Sequence, residues 1–322
     1  MNWSRRGFVS LSIGAFGCGT QSKGIALRLA NVQGIVSPIL ADALGSFREQ
    51  GLDVEMSDSP GVSKSVQAMV GGSVDVCVGG LDQAIQLNAD GVSVASFFLI
   101  GRRPGAALVV SPKAAARIHS VADLKGSVVG VTAPGSTAQW YLYSVMERAG
   151  LAPDDVSIAG IGTMATAVAA LEQGKVDAAI VLPYPLASLK RRHAGLPVLA
   201  EMITPQGTQA VYGVESLPNL CLIAKRAWLD AHGDIARRVN RAMQSTHAWI
   251  QSHTPEQMRD RLPAAARLDD AAAELDYLAS LKQIYSEDGR MPPGGANDLV
   301  RALKLRASDP TRAYTDEFGS PR

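Results

Sequence analysis

Two stretches of the chain share one pattern of hydrophobic and polar positions: a helix end, a glycine and a short apolar run. The stretches are residues 68–78 (AMVGGSVDVCV) and 170–180 (ALEQGKVDAAI), with identical Ala, Gly, Val and Asp at four matching places. The glycine suits a left-handed helix cap, and the apolar run suits a buried strand. Such junctions also arise by coincidence, but the shared Val-Asp pair favours a repeat. Copies this far apart predict two similar α/β lobes with a cleft between them.

Helical and strand periodicities alternate on both sides of each copy. The first part of the chain predicts strands at 27–31, 53–56, 74–78 and 94–100 and helices at 38–50, 61–70 and 81–90. The second part predicts strands at 106–111, 128–132, 156–161, 178–182 and 197–200 and helices at 137–149, 164–173 and 184–194. After an irregular return crossing at 203–219 come a strand at 220–224, helices at 234–252 and 268–287, and a loose tail after Pro310. This alternation is typical of parallel sheets.

The periodicity restarts after the fourth strand, which divides the chain. We expect an α/β protein in which residues 24–107 and 216–322 form lobe 1 and residues 108–215 form lobe 2. Each lobe is long enough for a core of its own.

Composition narrows the class of partner. Hydrophobic residues make up 47% and charged residues 19% of the chain, and the 31 Lys and Arg nearly balance the 30 Asp and Glu. This balance predicts no nucleic-acid partner. Aromatic residues amount to only 5%, which disfavours a wide stacking surface. No apolar run reaches the roughly 20 residues that span a bilayer.

Residues 1–23 carry the features of an export signal. A twin-arginine motif at 4–9 (SRRGFV) precedes a short apolar stretch, and Ala15 and Gly17 suit cleavage just before Cys18. Cys18 also completes a degenerate lipobox. We therefore expect export to the periplasm, and two mature forms remain open: a soluble protein, or one anchored to the membrane by lipid at Cys18.

Cys77 and Cys221 both lie in apolar, strand-like runs. An oxidising compartment would permit a disulfide between them, but buried free thiols are favoured. No Cys/His spacing is typical of a metal site, so we predict neither a metal nor a cofactor.

Several ordered motifs resemble one family. They are Gly51–Val54 after an amphipathic helix, the two Gly-x-Val-Asp junctions, Val121–Gly126 leading into Val128–Val131, and Arg148–Asp155 before a strand. Together they resemble periplasmic substrate-binding proteins of ABC importers, of the nitrate/sulfonate/taurine type that includes binders of thiamine-precursor pyrimidines. The resemblance covers about residues 25–290. It implies a two-lobe type II periplasmic binding protein fold that closes on a small solute.

Ligands of open α/β sheets bind beyond the carboxyl ends of the strands, near helix N-termini. In lobe 1 this rule selects two loops, and their candidate binding residues are Gln33, Gly34 and Ser37 in one and Gly79, Gly80, Leu81 and Asp82 in the other. Glycines let a backbone approach the ligand, and Asp82 suits an ammonium group. The alternative for Asp82 is an ordinary helix cap, which is the commoner role.

In lobe 2 the strongest candidate is the loop Gly135–Ser136–Thr137, whose free N–H groups, hydroxyls and helix dipole suit an anion or a carbonyl. Tyr184 offers a ring and a hydroxyl, although packing under its flanking prolines is as good an interpretation. Arg102 and Arg103 lie next to the first crossing, and one of them, of which Arg102 is the selected candidate, could pair with a sulfonate or a carboxylate. Tyr212 lies in the return crossing and is a further candidate.

The function implied is binding, and no catalytic residue is predicted. We expect an extracytoplasmic subunit that captures a sulfonate-, taurine- or nitrate-like anion, acts as a monomer and delivers the solute to an inner-membrane ABC permease. Three alternatives remain: a binder of a neutral heterocycle such as a pyrimidine, a periplasmic ligand sensor, and an enzyme on the same fold. The lack of an aromatic-rich cleft loop weighs against the heterocycle.

Overall fold

The computed structural model describes residues 24–307 and 309–319, and in this part of the chain the strands form two five-stranded sheets. The strands are β1 Ile25–Val32, β2 Leu52–Ser59, β3 Val76–Gly80, β4 Val94–Leu99, β5 Ala107–Val110, β6 Val128–Val131, β7 Ser157–Gly160, β8 Ala178–Val181, β9 Val198–Glu201 and β10 Leu220–Lys225. The α-helices of lobe 1 are α1 Ser37–Ala43, α2 Ser46–Glu49, α3 Val62–Gly71 and α4 Leu81–Ala89. Lobe 2 contains α5 Thr137–Arg148, α6 Met164–Glu172, α7 Pro183–Arg192 and α8 Pro205–Tyr212. The C-terminal helices are α9 Arg226–Ala231, α10 Gly233–Ser252, α11 Pro255–Arg261, α12 Ala271–Ile284 and α13 Gly295–Leu303.

The two sheets have equivalent strand orders, β2-β1-β3-β10-β4 and β7-β6-β8-β5-β9. The α/β class is confirmed, but the expectation of purely parallel sheets was wrong. β10 runs antiparallel to β3 and β4, and β5 runs antiparallel to β8 and β9. β5 and β10 are each the first strand after the chain crosses from the other sheet, so each runs opposite to its neighbours.

The repeated sequence builds the same helix ending in both lobes. Gly72 and Gly174 take left-handed φ values of +82° and +69°. Just beyond them, Ser73 N donates to Ala68 O and Lys175 N donates to Ala170 O, both at 2.9 Å. These bonds form Schellman caps, which glycine accommodates without strain.

The repeated aspartate clamps neighbouring strands together. The Asp75 carboxylate accepts the Arg28 backbone N–H at 3.0 Å, and that of Asp177 accepts the Val128 N–H at 2.9 Å. Each carboxylate also pairs with an arginine at 2.7 Å, Arg28 for Asp75 and Arg117 for Asp177. The hydrogen bond from the Arg28 side chain lowers the pKa of Asp75. The shared Val-Asp therefore has a structural role in both lobes.

Three expected elements differ in detail. The helix expected at 38–50 is broken at Gly45, which has a φ of +83°. The return crossing contains α8, whose N-cap Thr204 accepts the Gly207 N–H at 3.0 Å. The tail is not loose over residues 310–319, because Phe318 is buried against the edge of Phe97 in lobe 1.

Cys77 and Cys221 are free thiols, both fully buried. Burial raises the pKa of each, so neither is a ready nucleophile. Within residues 24–307 and 309–319, no helix is both long and apolar enough to cross a bilayer.

We predict that Asp177→Asn lowers the free energy of unfolding by about 1–2 kcal/mol, because it removes a charge-assisted hydrogen bond and an ion pair. Asp154→Asn is the matched control, since Asp154 is exposed in the same lobe and has no side-chain hydrogen bond among the described residues. Urea denaturation measures both variants. Equal losses of unfolding free energy in the two variants would contradict a role of Asp177 in joining the strands.

Candidate functional site

A cavity of about 110 Å³ lies between the two sheets. Lobe 1 contributes Val32 and Gly80 at the carboxyl ends of β1 and β3, and lobe 2 contributes Thr132 and Leu182 just after β6 and β8. The crossing segment Arg103–Ala106 closes one side. This placement follows the rule for ligand sites in α/β sheets.

The N-terminus of α5 faces the cavity. Ser136, Thr137 and Ala138 all line it, and the first N–H groups of a helix have no intrahelical partner. Ser136 is only 4% exposed, and its hydroxyl has no hydrogen-bond partner among the described residues. A buried hydroxyl without a partner is costly. The arrangement therefore suits a ligand group that accepts hydrogen bonds, and the helix dipole favours a negative one.

A buried hydrogen-bond chain joins the lobes behind this helix end. Thr137 Oγ1 donates to the Asp82 carboxylate, at 3.0 Å from Oδ2. The Asp82 backbone N–H donates to Asn219 Oδ1 at 3.2 Å, and Asn219 Nδ2 donates to the Tyr141 hydroxyl at 2.8 Å. A Cβ on Gly80 would overlap the Asp82 carboxylate and lie 3.0 Å from Thr137 Oγ1. This buried hydrogen-bond network therefore requires glycine at residue 80.

Burial raises the pKa of Asp82 to about 6, although the hydrogen bond from Thr137 opposes the shift. Asp82 is fully buried beneath Gly80 and does not line the cavity. It joins the two lobes and is not exposed to a solute in this conformation.

Arg103 is the arginine at the cavity, and Arg102 is not. The Arg103 Nε donates to Glu215 O at 2.8 Å and its Nη1 donates to Gln283 O, which leaves Nη2 without a hydrogen bond among the described residues. Burial lowers the pKa of Arg103. Arg102 does not line the cavity and pairs with Glu287 at 3.2 Å. The sequence pattern marks the arginine pair but not which member faces inward.

Three tyrosines line the cavity: Tyr141 from α5, Tyr277 from α12, and Tyr285 just after α12. The Tyr277 hydroxyl donates to Gly34 O, and the Tyr285 ring stacks on His247 with centroids 5.1 Å apart. Burial raises the pKa of Tyr277 and Tyr285, so both are neutral at physiological pH. These rings lie on α5 and α12 or just after α12, outside the cleft loops in which the sequence shows few aromatic residues, so the sequence pattern did not identify them.

Of the lobe 1 candidates, Gly34 and Gly80 line the cavity and the others do not. Gln33 is exposed. Ser37 is buried, and its hydroxyl lies 2.7 Å from His247 Nε2. Gly79 faces Ile223, with room for no side chain, and Leu81 is fully buried in the core.

Of the lobe 2 candidates, Ser136 and Thr137 line the cavity. Gly135 is exposed, and its N–H donates to the Gln139 side chain at 2.7 Å. Tyr184 is buried but does not line the cavity. Burial raises the pKa of its hydroxyl. Tyr212 does not line the cavity, and its hydroxyl contacts Met202 Sδ at 3.3 Å.

These features define a two-lobed periplasmic binding protein fold with its ligand cleft between the lobes. Residues 34–257 match the NMT1/THI5-like family model, and the chain belongs to that family. No curated protein matches the chain.

Solved structures are similar over nearly the whole chain. A protein from Bordetella bronchiseptica RB50 is 30% identical, with 92% of this chain and 96% of that one covered at a TM-score of 0.85. The alkanesulfonate-binding protein SsuA from Xanthomonas axonopodis pv. citri, bound to MOPS, is 19% identical, with coverages of 91% and 99% and a TM-score of 0.71. The periplasmic aliphatic sulphonate binding protein SsuA from Escherichia coli is 22% identical, with coverages of 87% and 91% and a TM-score of 0.68. The two SsuA structures share the fold.

We predict that Asp82→Asn stabilises the protein at pH 8 and has little effect near pH 4. The folded-state pKa of about 6 lies above the ordinary 3.8, so the contribution of Asp82 to stability is complete below pH 3.8 and is lost as pH rises through about 6. Above pH 7 the free energy of unfolding should rise by about 3 kcal/mol at most in Asp82→Asn.

Thermal melts of both proteins across this pH range measure the effect. Burial lowers the pKa of His247 to about 4, which makes acid destabilising, but His247 is common to both proteins and cancels in the difference. A difference that does not change with pH would contradict the assignment to Asp82.

Proposed function

We propose that the protein is the extracytoplasmic solute-binding subunit of an ABC importer, which captures a small organic solute by lobe closure and delivers it to an inner-membrane permease. The observation that carries this proposal is the cavity between the lobes, with the unpartnered Ser136 hydroxyl at the N-terminus of α5. Membership of the NMT1/THI5-like family and the similarity to sulfonate-binding folds support it.

The cavity favours a solute with one polar end and an apolar body. Ser136 and the first N–H groups of α5 suit a sulfonate or a carboxylate, and Arg103 Nη2 supplies a positive charge. Most of the remaining wall is apolar, including Val62, Ile180 and Leu281. An organic sulfonate with an apolar chain therefore fits better than nitrate, which has no apolar part to bury, and better than taurine, whose ammonium group would face the apolar wall.

A neutral heterocycle such as a pyrimidine is the second candidate. The three cavity tyrosines favour it, because neutral aromatic rings stack on planar solutes and their hydroxyls bond ring nitrogens and carbonyls. The buried carboxyl of Asp82 also disfavours a second negative charge nearby. A periplasmic sensor would use the same site and differ only in its partner.

The location and the assembly are part of the proposal. Export rests on the twin-arginine pattern within residues 1–23, and lipid anchoring on Cys18, all of which lie outside the described residues. The related folds are named as binding proteins, and both described thiols are buried. We therefore propose a binding protein and not an enzyme, and its monomeric state remains an expectation.

We predict that a sulfonate, a carboxylate or a pyrimidine raises the melting temperature in a panel that also includes taurine and nitrate. A ligand at a hundred times its dissociation constant adds about 2.7 kcal/mol. Ser136→Ala should weaken binding of an anionic ligand by roughly 10-fold or more, since hydrogen bonds to charged groups contribute about 1.5–3 kcal/mol.

Ser188→Ala is the matched control. Among the described residues its buried hydroxyl also has no hydrogen-bond partner, but Ser188 lies on α7 and does not line the cavity. Equal losses of affinity in the two variants would contradict the proposed site, and no response to any solute in the panel would contradict the ligand classes.

A second pair of variants separates the two candidate ligand classes. Arg103→Gln should weaken sulfonate binding by about 10-fold or more and leave pyrimidine binding less affected, because only the anion uses the guanidinium charge. Arg102→Gln should change neither, since Arg102 pairs with Glu287 outside the cavity. Isothermal titration calorimetry gives both affinities. A loss of sulfonate affinity in Arg102→Gln alone would instead assign the anion contact to Arg102, as selected from the sequence.

A further inference from the structure

Met164 has an unusual backbone conformation for a residue that opens a helix. It is the first residue of α6 and has a φ of +37°. The other non-glycine residue with a positive φ in the described chain is Lys304, which caps the end of α13. Left-handed residues are common at helix ends but not at helix starts. The conformation of Met164 therefore calls for a tertiary explanation.

The side chain of Met164 reaches Gly34 in the opposite lobe. Gly34 lies between β1 and α1 with a φ of +87°. A Cβ at this position would overlap the Met164 methyl carbon and lie 3.2 Å from its sulfur. The thioether of lobe 2 thus occupies the space that a side chain on lobe 1 would need.

The contact lies at the edge of the cavity. Gly34 and Thr163, the residue before Met164, both line it. The Tyr277 hydroxyl donates to Gly34 O and fixes the loop from the other side. The Gly34 loop is thus held between a cavity tyrosine and the methionine of the opposite lobe.

We infer that Gly34 and Met164 form a knob-and-hole contact that sets how far the cleft closes over its solute. Gly34 acts as a positioning residue, because its missing side chain lets the lobes approach. The inference rests on the proposed solute-binding function, but the contact can be tested separately.

Gly34→Ala should weaken binding of any solute that the panel identifies by about 5-fold, the low end of the cost of overpacking, because the displaced Met164 methyl is the flexible end of its side chain. Met164→Ala in the same chain removes the collision and should restore affinity to within about 2-fold, as expected for a directly coupled pair. Gly91→Ala is the control for backbone strain. Gly91 has nearly the same φ, +86°, and no atom within 4 Å of an added Cβ.

A distance measurement tests the contact without any solute. Spin labels at Ser57→Cys on β2 and Ser157→Cys on β7, both exposed, report the separation of the lobes by pulsed electron resonance. Cys18→Ser leaves Cys77 and Cys221, both buried, as the only native thiols. In the labelled wild-type background we expect the inter-label distance that this structure gives. Gly34→Ala should not show that distance, and Gly34→Ala/Met164→Ala should show it again.

Each outcome has a distinct meaning. If Gly34→Ala keeps the closed distance, or if the wild-type background never shows it, the contact is overturned even when solutes bind. If the closed distance behaves as expected but no solute binds, the contact stands and the proposed function fails. A loss of affinity in Gly91→Ala equal to that in Gly34→Ala would assign the effect to strain and overturn the inference.

Discussion

The close approach of the two lobes is the constraint on which the candidate site depends. At Gly80 the absence of a side chain lets Thr137 of lobe 2 reach the buried carboxylate of Asp82. At Gly34 the same absence admits Met164. Because the cavity has walls from both lobes, separation of the lobes would open it, and in the proposed function closure and binding are one equilibrium.

The polarity of the cavity follows from the same geometry. Strand ends and helix starts meet at the cleft, where the Ser136 hydroxyl has no hydrogen-bond partner among the described residues and the wall is otherwise largely apolar. The wall can orient a solute by one polar end and exclude water from the rest. Asp82 lies beneath this surface with a raised pKa, which couples the charge state of the interface to pH without contact with the solute.

Local patterns predicted much of the fold. The repeat predicted both glycine caps, and the strand and helix rhythm located β3, β8 and α10 to within a few residues. Strand direction could not be predicted in this way, because β5 and β10 are antiparallel only as a consequence of the crossings between sheets. Hydrophobic periodicity carries no information on such non-local pairing.

The candidate site was predictable where backbone chemistry decides it. Ser136 and Thr137 at a helix start, and Gly34 and Gly80 at strand ends, all line the cavity. Side chains that arrive from distant helices were missed, as with Tyr277, because nothing local distinguishes a cavity residue from a core residue. Their role in binding remains a prediction.

The most direct test of the central claim is hydrogen–deuterium exchange with and without the solute that most raises the melting temperature. We predict slower exchange in peptides from both lobes and the C-terminal helices, at residues 32–36, 132–138 and 277–285, because these segments line the cavity. Protection confined to one lobe, or located away from these segments, would contradict binding between the lobes.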